Sequence, residues 1–267
     1  MVKQAEGIPL YMILASWNVN SIGVRLPLVI DWLKESKVDV LCIQETKCVD
    51  EKFPKDDFLA IGYQSAYFGQ KTYNGVAIVS RSEITAVETN FPGIPNPEQA
   101  RFVKAEIESV TILNSYIPNG SEPGSDKFEY KMAFLRALSQ HLSDRYSKDS
   151  RLLLCGDFNI APLDIDVYDP DKTKGQILVS DEERAALAKL KDWGFVDGFR
   201  KHVEEGGHYT WWDYRQMAFR RKMGYRIDHV WLSEGLAPAC VGSWIDISPR
   251  KKERPSDHTP ILVELKV

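Results

Sequence analysis

The side chains of this sequence that could carry out chemistry stand at the ends of short apolar runs. Each ending alone has the polarity of an ordinary loop. If these ends meet at one edge of a sheet, where α/β proteins place their sites, they bring at least four carboxylates together. Six runs stop in this way on an amide, an acid, an imidazole or a phenol: 15–18, 41–45, 113–116, 154–159, 226–229 and 256–258.

Such a site is expected to bind a cation, because closely packed carboxylates repel one another unless a positive charge neutralises them. Oxygen-rich donors with few histidines and no cysteine favour Mg²⁺ or Mn²⁺ over zinc. Asp257-His258 and the single Asp228 offer a carboxylate–imidazole pair: an acid bonded to one ring nitrogen fixes the tautomer and leaves the other free to act. His229 follows Asp228 directly and should face the opposite side of its strand.

Several other chemistries lack support. The sequence has neither a G-x-S-x-G motif nor a Walker loop, and no two of its four cysteines are spaced as C-x-x-C. Cys42 and Cys155 lie inside apolar runs and are interpreted as buried, reduced thiols. No lysine is recognisable as a desolvated Schiff-base nucleophile, which favours hydrolysis over β-elimination.

The elements that must position the polar ends follow from periodicity. Short β-branched runs predict strands, helical patterns lie between some of them, and no linker or repeat interrupts the 267 residues. One α/β domain is the economical interpretation, and Ala161–Asp171 is interpreted as a solvated acidic loop. The predicted strands are 12–17, 38–43, 75–80, 102–107, 110–116, 152–155, 227–232 and 261–265, and the predicted helices are 24–35, 127–146 and 181–193, the last capped by Ser180.

Seven motifs in order resemble the exonuclease III family of abasic-site endonucleases, within the endonuclease/exonuclease/phosphatase superfamily. They are WNVN at 17–20, QETK at 44–47, YNGVA at 73–77, GDFNI at 156–160, YTWWDYR at 209–215, RID at 226–228 and SDH at 256–258. The resemblance implies a four-layer α/β sandwich, with two mixed sheets face to face and helices outside. It covers 12–267 as one domain and leaves 1–11 as an extension, a tag remnant or an upstream start.

The resemblance also implies roles for single residues. Glu45 matches the principal metal ligand. His258, oriented by Asp228, would bond the scissile phosphate or take a proton from water; Asp157 is the alternative general base. Tyr116 would direct its hydroxyl at the phosphate. The implied catalytic set is Tyr116, Asp157, Asn159, Asp228 and His258, and the implied metal set is Asn18, Glu45, Asp157, Asn159 and Asp257.

Tyr116 separates the expected activities. Deoxyribonuclease I and the lipid and inositol phosphatases usually carry His at that strand end, whereas the abasic endonucleases carry Tyr. The resemblance therefore implies Mg²⁺-dependent hydrolysis 5′ to abasic sites in duplex DNA, leaving a 3′-hydroxyl and a 5′-deoxyribose phosphate. A 3′→5′ exonuclease or 3′-phosphatase activity can share the site. A lipid or inositol phosphatase and a non-catalytic DNA-binding module are the competing interpretations.

The stretch Tyr214–Ile227 holds five cations and no acid, interleaved with aromatic residues. It predicts a loop that bonds phosphates and wedges into the duplex where the abasic nucleotide leaves the stack. By family position, Trp211, Tyr225 and Ile227 would form an apolar pocket for the bare deoxyribose, and Arg215 would penetrate the duplex or track its backbone. The implied DNA-binding residues are Lys47, Lys71, Asn74, Trp211, Arg215, Arg220, Tyr225 and Ile227.

The net charge of −4 does not exclude nucleic acid, because residues 200–255 carry eleven Lys and Arg against seven Asp and Glu. The acidic remainder includes the expected metal ligands. We therefore expect double-stranded DNA with abasic sites or 3′ blocks as the partner. No apolar run is long enough to cross a bilayer. The remaining expectations are no membrane association, a monomer, and a cytoplasmic, nucleoid-associated location.

Overall fold

Two six-stranded mixed sheets form the centre of the protein, seen in a computed structural model that describes residues 11–267. Their strand orders are β11-β12-β1-β2-β4-β3 and β5-β6-β7-β8-β10-β9. The strands are β1 Tyr11–Asn18, β2 Val40–Gln44, β3 Gln64–Phe68, β4 Val76–Ser80, β5 Thr85–Thr89, β6 Phe102–Ile107, β7 Val110–Tyr116, β8 Leu152–Asp157, β9 Phe195–Asp197, β10 Asp228–Ser233, β11 Cys240–Ile245 and β12 Ile261–Lys266.

Helices cover the outer faces of both sheets and complete the four predicted layers. Helix α5 begins with the expected capping box, in which Ser180 and Glu183 bond each other's backbone amides. It ends at Gly194, which adopts the left-handed conformation that favours glycine. The helices are α1 Ile22–Ser36, α2 Lys55–Ala60, α3 Asp126–Arg145, α4 Pro170–Thr173 and α5 Asp181–Trp193.

Three apolar cores hold these layers together, because successive side chains of a strand point to opposite faces. Leu14 of β1 and Leu153 of β8 belong to the core between the sheets. Ala15 packs outward in a core with Trp32 of α1, and Leu154 packs outward with Leu138 of α3. Burial on both faces makes the inner strands nearly continuous apolar runs, which the sequence displays.

All eight predicted strands are present, and the four strands that the sequence analysis missed are the four sheet edges, β11, β3, β5 and β9. Every residue of β5 is exposed, β9 has three residues, and β11 contains a register shift between Cys240 and Gly242. Edge strands bury fewer side chains, so they lack the apolar run that identifies an inner strand. The three predicted helices match α1, α3 and α5 within two residues at each end.

Tyr11, the last residue of the predicted extension, belongs to the first strand. β1 begins at Tyr11, which pairs with Lys266 of β12. The rest of the predicted extension, residues 1–10, lies outside the described residues. Among residues 11–267, no helix combines the length and the apolarity that crossing a membrane requires.

Candidate active site

The six polar strand ends meet at one end of the two sheets, as the sequence analysis expected. In one sheet, Asn18 of β1 lies beside Gln44 of β2. In the other, Tyr116, Asp157 and Asp228 stand side by side on β7, β8 and β10. The register of the ladders therefore places groups that are far apart in sequence along a single edge.

Gly156 permits the close approach of β7 and β8 at this edge. Its φ is +141°, and an added Cβ would lie 1.8 Å from the carbonyl oxygen of Ser115. No side chain fits there, so glycine is required immediately before Asp157.

Glu45 and Asp157 face each other across the gap between the sheets. The Asn18 amide Nδ2 donates to Glu45 Oε1 at 2.8 Å and to Asp157 Oδ2 at 2.9 Å, and the Tyr116 hydroxyl donates to Glu45 Oε1 at 3.0 Å. One potential ligand atom each from Glu45, Asp157 and His258 lies within 4.8 Å of the others. Two carboxylates without a thiol suit a hard divalent cation.

His258 is bonded to Asp228 and points its free nitrogen at Asp157. Its Nδ1 lies 2.8 Å from Asp228 Oδ2, and its Nε2 lies 3.7 Å from Asp157 Oδ2. Burial alone would lower the pKa of His258, but Asp228 and Asp157 outweigh it and raise that pKa to about 10. Burial also raises the pKa of Asp157, to about 7, against the lowering effect of His258. Asp157 and His258 therefore form a proton-holding pair, and Asp228 orients the ring of His258 through its hydrogen bond.

Asp257 stands apart from the group formed by Glu45, Asp157 and His258. Its Oδ2 accepts a hydrogen bond from Trp211 Nε1 at 3.0 Å, and its Oδ1 accepts one from Asn20 Nδ2 at 2.9 Å. Burial would raise the pKa of Asp257, but His258 and these two donors lower it. Asp257 is thus held as an anion at the rim of the site.

Asn159 and Glu45 adopt left-handed backbone conformations, with φ of +52° and +55°. Such conformations cost energy in residues other than glycine and are concentrated at functional sites. The Asn159 amide N–H donates to Asp157 Oδ1 at 2.9 Å, and the Asn159 side chain bonds the carbonyl of Ile117 and the amide of Asn119. Asn159 therefore fixes the carboxylate of Asp157.

Comparisons with known proteins agree with this geometry. Residues 15–258 match the Endonuclease/Exonuclease/phosphatase family. The exodeoxyribonuclease III of Haemophilus influenzae is 34% identical over 263 residues, which cover 94% of this chain and 98% of that protein. The chain belongs to the exonuclease III family of abasic-site endonucleases.

Solved structures support the same placement. A Neisseria 3′ phosphatase bound to a product DNA hairpin has a TM-score of 0.92 and 42% identity, covering 96% of this chain and all of that one. An AP endonuclease from Archaeoglobus fulgidus has a TM-score of 0.92 and 39% identity over the same shares. These findings confirm the predicted four-layer fold, and this exonuclease III family member is a hydrolytic nuclease.

The basic segment of this family member is less uniformly exposed than its sequence suggested. Arg215 is 83% exposed in its side chain and forms a fork with Asp213, and Arg220 is exposed. Arg226 is wholly buried against Asp166 and Asp197. The prediction that Arg226 belongs to a DNA-facing loop was therefore wrong. The prediction that Asp166 lies in a solvated loop was also wrong, because its side chain is buried.

The residues expected to form a sugar pocket do lie together. The rings of Trp211 and Tyr225 are 5.6 Å apart between centroids, and both pack on the cluster that contains Ile227. Ile227 is 1% exposed and so forms the back of this cluster.

Two of the three remaining DNA-binding candidates adjoin the site. Lys47 Nζ pairs with Glu45 Oε2 at 2.6 Å and bonds Asn20 Oδ1 at 2.5 Å. Asn74 is buried, and its carbonyl accepts a hydrogen bond from the Lys47 amide. Lys71 is exposed on the adjoining loop.

The sequence analysis missed two asparagines and one lysine. Asn20 bridges Asp257 and Lys47, and its position two residues after Asn18 was the available signal. Asn119 lies in the Pro- and Gly-rich loop after β7 and holds Asn159. Lys131 is a desolvated lysine that the sequence did not reveal, but its ammonium is committed to an ion pair with Glu183 and to two backbone carbonyls. Burial lowers its pKa against the raising effect of Glu183.

Proposed function

We propose that this chain is a DNA repair nuclease that hydrolyses the phosphodiester on the 5′ side of abasic sites in duplex DNA. It leaves a 3′-hydroxyl and a 5′-deoxyribose phosphate, and it also works as a 3′→5′ exonuclease and 3′-phosphatase. The observation that carries the proposal is the line Asp228–His258–Asp157, which points a buried proton-holding pair at the edge where Glu45 lies. The named relatives, a 3′ phosphatase and an AP endonuclease, support the reactions.

The residues supply most of the chemistry that ester hydrolysis needs. Asp228 fixes the ring of His258, and the Asp157–His258 pair takes up the proton of the attacking water. The Tyr116 hydroxyl, 3.0 Å from Glu45, donates toward a phosphate oxygen. Asn159 holds Asp157 and offers its amide at the same edge. Loss of one acid–base group should cost about 10²–10⁴ in rate.

Mg²⁺ is the proposed cofactor, with Mn²⁺ as a substitute. Glu45 would be its principal ligand, with Asp157 beside it, Asn18 bridging the two carboxylates, and Asn159 and Asp257 nearby. When bound, the cation neutralises phosphate charge and stabilises the leaving 3′ oxygen. The oxygen-rich donor set, with a histidine already committed to Asp228, supports this choice over zinc.

DNA would lie across the Trp211 side of the site. Trp211, Tyr225 and Ile227 form the proposed pocket for a deoxyribose without a base, and a normal nucleotide would carry a base too large for it. Lys47, Lys71, Asn74, Arg215 and Arg220 would contact phosphates. Because an abasic nucleotide has no base to unstack, turning it out of the duplex costs little, which favours the lesion.

The protein is proposed to work as a monomer, with residues 12–267 forming a single catalytic domain. Its proposed location is the cytoplasm, at the nucleoid where damaged DNA lies. The DNA hairpin bound to the Neisseria relative supports DNA as the substrate of this chain.

The decisive experiment uses a duplex that carries one abasic analogue, a matched undamaged duplex, and a duplex with a 3′-phosphate. With Mg²⁺, we expect an incision immediately 5′ to the lesion and release of the 3′-phosphate; with EDTA, we expect neither. The Asp157→Asn variant is the control for a contaminating nuclease. Binding without cleavage would favour a non-catalytic DNA-binding module, and 3′ processing without incision would restrict the function to DNA ends.

A further inference from the structure

Lys131 of α3 lies behind the active site with its ammonium group completely enclosed. Its side chain has no exposed surface, and the Nζ atom donates to Asn159 O at 2.7 Å, to Asn119 O at 3.1 Å and to the carboxylate of Glu183. All three ammonium protons therefore have acceptors.

Two of those acceptors belong to the loops that build the site. Asn119 follows β7 and Asn159 follows β8, and the Asn119 side chain donates to Asn159 Oδ1 at 3.0 Å. The Lys131 ammonium and the hydrogen bond between the two asparagine side chains therefore join the same two loops. Asn159 in turn bonds Asp157 through its backbone amide.

The third acceptor ties this arrangement to the start of α5. The Glu183 carboxylate also accepts hydrogen bonds from the backbone amides of Leu178 and Ser180 and from the Ser180 hydroxyl. The carboxylate cannot swing away without breaking the capping box of α5. Lys131 is therefore anchored to a rigid element of the fold.

We propose that Lys131 is a positioning residue for the hydrolysis, holding the strained backbone of Asn159 so that the carboxylate of Asp157 faces His258. This inference rests on the roles proposed above for Asp157 and Asn159. A buried ion pair alone contributes little to stability, and apolar residues of similar volume often replace one without loss. The ammonium of Lys131 also donates to the backbone carbonyls of Asn119 and Asn159, so it holds the two loops next to the proposed catalytic residues in place.

The experiment separates an effect of Lys131 on the position of the Asp157 carboxylate from an effect on the thermal stability of the protein. The Lys131→Met/Glu183→Gln double variant removes both charges and so leaves no unpaired buried ion. We expect its kcat for incision to fall about 10²-fold with KM within about threefold of wild type, because small misplacement of a catalytic group has costs of this size. Glu183→Gln alone keeps the ammonium on Asn159, so it should lose thermal stability but keep kcat within about threefold.

Controls make the outcome decisive. Lys104, another buried lysine, pairs with Glu88 and Glu106 on β5 and β6, and Lys104→Met should leave kcat unchanged. All assays run at least 15 °C below the melting temperature of each variant. If the double variant does not fold, Lys131→Arg, which keeps the charge but not the fit, should show a fall in kcat of about tenfold.

Wild-type kcat in the folded double variant, or in Lys131→Arg if the double variant does not fold, would overturn the inference. The inference would also be overturned if kcat fell in proportion to melting temperature across all the variants, including Lys104→Met. An Asp157→Asn variant assayed in parallel shows which idea has failed. If that variant is inactive while the Lys131 variants are normal, only the positioning role is wrong. If Asp157→Asn is active, the catalytic role of Asp157 is wrong; if the wild-type protein makes no metal-dependent incision, the proposed function itself is wrong.

Discussion

Two buried charge clusters adjoin each other, since Arg226 belongs to one and Asp228 to the other. Only the first is balanced, that is, it contains equal numbers of positive and negative side chains. Behind β10, Arg226 and Arg200 pair with Asp166 and Asp197. In the second cluster, Asp228, Asp157 and Glu45 lie around the single imidazole of His258, with Asp257 at the rim and Lys47 paired with Glu45. Both clusters are largely removed from water, so the difference between them is composition.

The pKa values follow from that composition. In the balanced cluster, burial would lower the pKa of Arg226 and raise that of Asp166, but their mutual attraction wins in both cases, so both stay charged. In the unbalanced cluster, the pKa of Asp157 rises to about 7 and that of His258 to about 10. Compensated charges stabilise a structure, whereas an excess of one sign leaves groups that exchange protons or attract a cation.

The largest effect should come from changing the unbalanced cluster. Asp157→Asn and His258→Asn each remove one member of the proton-holding pair, and we expect kcat for incision to fall by about 10²–10⁴. DNA affinity should stay largely intact, because the cations proposed to contact phosphates are untouched. Single-turnover cleavage together with equilibrium binding in EDTA measures both quantities.

Unfolding of the same variants sharpens the comparison. The pKa of Asp157 is raised on folding, so its ionised form destabilises the metal-free protein at neutral pH, and this penalty disappears as the pH falls below about 4. Asp157→Asn should therefore unfold at a higher urea concentration than wild type at pH 8. Near-wild-type kcat in either variant would contradict its catalytic assignment.

The next largest effect should come from breaking the balanced cluster. Arg226→Met leaves Asp166 and Asp197 without their shared partner, and removal of one member of a buried ion pair typically costs about 3–5 kcal/mol. Arg215→Met, at an exposed pair, should cost far less, because solvent screens that pair. Urea unfolding measures both variants; equal losses would mean that Arg226 is not the structural cation that its burial indicates.

The same contrast explains what could be predicted from sequence. The candidate catalytic residues were identified because each one lies at or close to an end of an inner strand, which apolar runs locate, and because the motifs around them resemble the family. The partners of Arg226 and Lys131 were not identified, because Asp166 and Glu183 stand 60 and 52 positions away and nothing local marks the pairing. The edge strands were not predicted for a related reason. An edge strand pairs with a neighbour on one side only and buries fewer side chains, so its sequence lacks a continuous apolar run.

The smallest effect should be a pH dependence within the balanced cluster, at His229. Its Nδ1 lies 3.2 Å from Arg226 Nη1, and its Nε2 lies 2.8 Å from the carbonyl oxygen of Ile160. This arrangement suits the neutral ring, in which Nε2 donates and Nδ1 accepts. Burial, reinforced by Arg226, lowers the pKa of His229 to about 4.

An ordinary histidine in the unfolded chain binds its proton near pH 6.5, so only the unfolded state gains a proton between pH 6.5 and about 4. The contribution of His229 to the free energy of unfolding is therefore fully present above pH 6.5. It should decline by about 3 kcal/mol as the pH falls to 4. His229→Gln should flatten the urea-unfolding profile across this window. Parallel profiles for wild type and His229→Gln would mean that the ring is protonated in the folded state, and the cluster behind β10 would then carry an excess positive charge.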